Sequence, residues 1–73
     1  MKTKIQWSAK NNSSFLNGSR STKTLLGAVR AGRAYVMGEL YGEGVVTILV
    51  DGYPFRQDER SIFTGFRWVS REL

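Results

Sequence analysis

The chain contains no cysteine and no histidine. The first absence excludes a disulfide staple and any thiolate metal site. The second removes the usual general base and the commonest zinc ligand, so the seven serines have nothing with which to complete a Ser-His-Asp triad. Proline occurs once, at Pro54. No apolar run approaches the roughly 18 residues a membrane helix needs. Met-Lys-Thr-Lys is followed by no hydrophobic segment of the kind a secretory leader carries. The expectation is a cytoplasmic protein with no membrane contact.

Acid is the next scarcity, and it is unevenly placed. Residues 1–38 hold seven cations and no carboxylate, while residues 39–73 hold four arginines and all six acids. The two halves therefore carry +7 and −2, which gives the net +5. Asymmetry of this kind suits a surface that faces a polyanion. Lys2, Lys4, Lys10, Arg20, Lys23, Arg30 and Arg33 are the expected nucleic-acid-binding residues: Lys and Arg supply charge and counterion release, and the nearby Asn/Ser loop supplies donors to phosphate oxygens.

At 73 residues there is room for one domain, spanning 1–73. A chain this short buries only about 60% of its unfolded surface, so nine aromatics must make an efficient core or a second copy must complete it. A homo-oligomer, such as a homodimer, stays open.

In K-T-K-I-Q-W-S-A-K, Ile5, Trp7 and Ala9 share one parity and Lys2, Lys4, Gln6 and Ser8 the other, the mark of a half-buried antiparallel strand. A polar Asn/Ser/Gly stretch follows, interrupted by Phe15 and Leu16, which are expected to form a short second strand hairpinned through residues 11–14. Thr22 or Ser21 is the expected N-cap of a helix over about 22–40, with Leu25, Val29, Gly32, Val36 and Leu40 as its apolar stripe. Gly32 on that stripe implies close approach to a neighbouring element. Gly38 or Gly42 suits the helix end.

V-V-T-I-L-V-D-G-Y-P-F-R-Q reads as two strands joined by a type I′ turn at Asp51-Gly52. Pairing Val50 with Tyr53 puts Leu49 opposite Pro54, Ile48 opposite Phe55 and Val46 opposite Gln57. Val46, Ile48, Val50, Tyr53 and Phe55 then form one apolar face. Asp58-Glu59-Arg60 is the expected next turn, its carboxylates solvated. A final strand carries Trp68, with Thr64-Gly65 bulging or breaking it and residues 71–73 frayed. The expected fold is α+β: a single helix packed on a small antiparallel sheet, in the order β-(β)-α-β-β-β.

No catalytic constellation assembles. Adjacent carboxylates in a strand or turn point apart, and Gly42-Glu43-Gly44 lacks the Gly-Lys-Ser/Thr of a P-loop. A non-enzymatic protein without cofactor or metal is expected. Trp7 and Trp68 could stack on unpaired bases, but Trp7 lies on the apolar parity of its strand, and packing beneath the helix is expected for both. The helix-turn-helix, zinc-finger and RNA-recognition signatures are missing.

The stretch G-E-L-Y-G-E-G-V-V-T-I-L-V-D-G-Y-P-F-R-Q-D-E-R-S-I-F-T-G-F-R-W, residues 38–68, resembles small uncharacterised proteins of phages, prophages and mobile elements. The resemblance implies a compact accessory protein that acts by binding, to nucleic acid or to a host protein it blocks, and it brings no site residues. The first reading is a small basic nucleic-acid-binding protein acting through its N-terminal surface. The alternatives are a protein-binding module that inhibits a host complex, for instance by adding a strand to a partner's sheet, and a homo-oligomeric structural subunit.

Overall fold

The computed structural model describes residues 3–11 and 17–73. Strand β1 (Ile5–Lys10) follows its alternation: Trp7 and Ala9 are buried while Gln6 and Ser8 are half-buried on the opposite face. It pairs on one side with β2 (Asn17–Thr22), with Trp7 opposite Arg20 and Ile5 opposite Thr22. The second strand thus lies beyond Phe15 and Leu16, which are outside the described residues, as is most of the 11–14 turn. The other strands are β3 (Gly44–Val50), β4 (Tyr53–Ser61) and β5 (Arg67–Glu72). All pairings are antiparallel, in the spatial order β2-β1-β3-β4-β5. With helix α1 (Leu25–Glu39) between β2 and β3 in sequence, the architecture is the expected α+β one.

The helix begins later than its apolar pattern suggests. Thr22 is still the last residue of β2, and its hydroxyl donates to the carbonyl of Thr24 at 3.0 Å. Thr24, not Thr22 or Ser21, is the N-cap, its Oγ1 accepting from the Gly27 N–H at 2.9 Å. Ala28, Val29, Gly32, Val36 and Leu40 form the buried stripe, while Leu25 is exposed. Tyr41 and Gly42, both at positive φ, end the helix, and the Gly42 N–H reaches the Val36 carbonyl at 2.9 Å. Asn11 ties β1 to this end by donating to the Glu43 carbonyl at 2.8 Å.

α1 packs across β1, β3 and β2. The close approach expected at Gly32 is real: a Cβ there would sit 2.3 Å from Val46 Cγ1. The core is Trp7, Ala9, Ala28, Val29, Val36, Leu40, Val46 and Ile48. Trp7 packs against Tyr35 with ring centroids 5.4 Å apart.

The Asp51-Gly52 turn is as expected, with φ of 52° and 85°. Val50 faces Tyr53 and Leu49 faces Pro54, but Ile48 then faces Arg56 and Val46 faces Asp58. Phe55 is therefore an inserted bulge residue, and the two pairings expected beyond it are wrong by one. A slip of one residue exchanges the faces of everything that follows. Tyr53 and Phe55, which precede the slipped pairs, are exposed, so neither completes the apolar face. Asp58, Glu59 and Arg60 form no turn, because β4 continues through them to Ser61. The break comes at a 3-10 turn (Ile62–Thr64) followed by Gly65 in the left-handed region. The C-terminal residues are not frayed: Arg71 and Glu72 pair with Gln57 and Arg56, and the Leu73 N–H donates to the Phe55 carbonyl at 3.0 Å.

Candidate nucleic-acid interface

The sheet is wider than its helix. Over β1 and β3 the helix supplies apolar cover, but β4 and β5 extend past it, and there the side chains on the helix side are Arg56, Asp58, Arg60, Trp68, Ser70 and Glu72. Asp58 has no exposed surface. Its carboxylate is held by Arg56 Nε at 2.8 Å and by Arg33 Nε and Nη2, each at 2.8 Å, the latter reaching down from α1. Both guanidinium groups also donate to Ser70 Oγ, at 3.2 Å from Arg33 and 3.0 Å from Arg56. Burial would raise the Asp58 pKa. Hydrogen bonds from Arg56, Arg33 and Ser70, with the attraction of the Arg33 charge, outweigh it and hold the carboxyl below its ordinary 3.8.

Trp68 lies between two of these cations. The Arg33 guanidinium is 4.9 Å from its ring centroid and that of Arg60 is 5.9 Å away; Arg60 also lies 5.3 Å over Phe66. Arg33, expected as a nucleic-acid contact, is thus a structural cation that closes the core where the helix stops. The solvated-turn expectation for Asp58 is overturned for the same reason. Trp7 is buried beneath the helix, and Trp68 is half-buried beside it.

The opposite face of the sheet carries no helix. Alternation and register bring to it Lys4, Gln6, Ser8 and Lys10 from β1 and its approach, Asn17, Ser19 and Ser21 from β2, and Val45, Thr47 and Leu49 from β3. Gln57 and Glu59 come from β4, and Arg67, Val69 and Arg71 from β5. One row runs Ser19, Ser8, Thr47, Gln57, Arg71 across all five strands, hydroxyl and amide groups ending on a cation. Lys4, Lys10, Arg67 and Arg71 share this face with two carboxylates, Glu59 and Asp51, the latter beside Lys4 and accepting from its backbone N–H at 2.8 Å; none of the four cations forms an ion pair among the described residues. Five strands about 4.8 Å apart make this a platform about 19 Å across.

The seven expected cations therefore do not converge. Lys4 and Lys10 are on the uncovered face. Arg20, opposite Trp7, is on the helix side of the edge strand, at the rim of a groove between β2 and α1. Arg30 is exposed on the helix and Lys23 is in the β2–α1 connection. Arg33 is in the Asp58 cluster, and Lys2 is outside the described residues. Arg67 and Arg71 were missing from the expected set because it was drawn from one half of the chain. Their shared parity with Val69, against that of Trp68, was the available signal.

Among the described residues no helix is long and apolar enough to cross a membrane, and no three acidic side chains gather as a metal site. Among the described residues, two buried side-chain polar atoms lack a hydrogen-bond partner, Trp7 Nε1 and Arg60 Nε. No family model, curated protein or solved structure matches this chain.

Proposed function

We propose that the protein binds nucleic acid, without catalysis, through the uncovered face of its sheet. The observation that carries this reading is the placement on one face of four cations, none of them ion-paired among the described residues, and a row of hydroxyl and amide groups, against two carboxylates, Glu59 and Asp51. Lys4 and Lys10, just before and at the end of β1, and Arg67 and Arg71 on β5 provide charge to phosphates, while Ser8 on β1, Thr47 and Gln57 on the strands between, and Ser19 on the edge beyond β1 provide hydrogen bonds. The arginines of the Asp58 cluster hold the fold and stand apart from this surface.

The test compares three double variants with equal changes in net charge. Lys4→Glu/Lys10→Glu and Arg67→Glu/Arg71→Glu alter the uncovered face; Arg20→Glu/Arg30→Glu alters the helix side. All six side chains are exposed and outside the core. Affinity for a mixed-sequence DNA strand is titrated over a range of salt. Each uncovered-face variant should lose most of its affinity and flatten the slope of log K against log salt by about 1.4, two contacts at about 0.7 each. The helix-side variant should keep its slope and lose only the long-range share, which falls off over about 8 Å at physiological salt. Equal losses in all three, or no wild-type binding at physiological salt, would refute the reading and favour a protein partner.

A further inference from the structure

Where β4 turns into β5, the end of the hairpin is apolar. Phe63 is 88% exposed and Phe66 59% exposed, and Ile62 beside them is exposed too. We propose that Phe63 and Phe66 are stacking platforms for unpaired bases, so that the nucleic acid the sheet takes is single-stranded. This rests on the reading of the uncovered face given above and adds the substrate class to it.

A defined turn carries the two rings. Ser61 Oγ accepts from the Phe63 N–H at 3.1 Å, which starts the 3-10 turn. Gly65 and Phe66 follow with φ of 79° and 61°. The left-handed region is ordinary for glycine and rare for a bulky side chain, and such outliers persist where surrounding contacts over-determine them. Here the Arg60 guanidinium lies over the Phe66 ring at 5.3 Å. With that cation over it, the Phe66 residue still keeps 59% of its surface exposed.

Charge selects the occupant. From Arg60 to Arg71 the chain contains three arginines and no acid, so the rings are set in a cationic frame that suits a polyanion. Arg67 joins this end of the hairpin directly to the uncovered face, where it and Arg71 flank Val69 along β5. A strand whose phosphates run along the face can bring bases to the rings. In a duplex the bases are stacked on one another and offer no free π-face. Aromatic stacking with a cationic track is how sequence-tolerant single-strand binding is built.

The experiment uses the whole chain and three probes at physiological salt: a mixed-sequence DNA strand, the same strand with abasic sites in place of its bases, and the corresponding duplex. Wild type should bind the intact strand at least about tenfold more tightly than the abasic strand or the duplex. Phe63→Ser and Phe66→Gly should each reduce intact-strand affinity severalfold, and together remove the preference, with binding to the abasic strand unchanged. Phe66→Gly relieves the left-handed backbone, so its melting temperature should not fall, which separates lost stacking from lost folding. Equal wild-type affinity for intact and abasic strands, or equal losses on both in the variants, would overturn the stacking role while leaving the sheet-face reading in place. Failure of the wild type to bind any probe would overturn both. Ring-dependent binding to phosphatidylserine/phosphatidylcholine vesicles in place of the strand would make the tip a lipid contact and overturn it as well.

Discussion

At Asp58 two forces oppose each other. Burial with no exposed surface favours the neutral acid, while Arg56, Arg33 and Ser70 favour the carboxylate and prevail. A carboxyl whose pKa is lower folded than unfolded contributes stability that is fully present above the unfolded value, near 3.8, and is lost as pH falls through the folded value. Asp58→Asn should therefore cost about 3 kcal/mol at neutral pH, the lower end of what breaking a buried pair costs, because both arginine side chains keep 32% of their surface exposed. Thermal melts from neutral to strongly acidic pH check this. The gap between wild type and variant should be constant down to about pH 5 and close below the ordinary carboxylate range. A gap that persists unchanged in strong acid would mean that the Asp58 charge does not hold the cluster together. This residue was not legible in the sequence. Asp58-Glu59-Arg60 has the polarity of a turn, and the partner that makes burial tolerable, Arg33, is on another element 25 residues away.

Among the elements, legibility followed the range of the forces involved. The Asp51-Gly52 turn is set by two adjacent residues at positive φ, and the apolar stripe of α1 by a repeat within one helix; both were readable. Gly32 was readable as a point of close approach because a glycine on a buried stripe has few other uses. The bulge at Phe55 was not, since phenylalanine is an ordinary strand former and nothing local marks it as inserted. Its consequence is large: it places Arg56, Asp58 and Arg60 toward the helix and Gln57 and Glu59 away from it. Deleting Phe55 removes only the inserted residue and leaves Pro54 opposite Leu49 and Arg56 opposite Ile48, so Asp58 should keep Arg33. Losing about 3 kcal/mol in a domain of this size would lower the melting temperature by about 12–24 °C. The deletion and Phe55→Ser should both fall well short of that loss. A fall of that size on deletion alone, measured by thermal melts, would show that Phe55 is not the inserted residue.

For the molecule as a whole, the block of cations in residues 1–38 was evident, but a block of sequence is not a surface. Alternation along β1 sends Lys4 and Lys10 to the uncovered face, and pairing with Trp7 sends Arg20 to the other. The cations that complete the face, Arg67 and Arg71, arrive from the opposite end of the chain because β5 is the edge strand beyond β4. Only the order β2-β1-β3-β4-β5 brings the two sets onto one platform. The most direct measurement of that claim is a methyl-resolved NMR titration of the protein with a mixed-sequence DNA strand. Val45, Leu49 and Val69 report the uncovered face, and Leu26 and Met37 the exposed side of the helix. Binding at the proposed surface should shift Val45, Leu49 and Val69 in a saturable manner and leave Leu26 and Met37 in place; shifts confined to Leu26 and Met37, with the three sheet methyls unmoved, would contradict it.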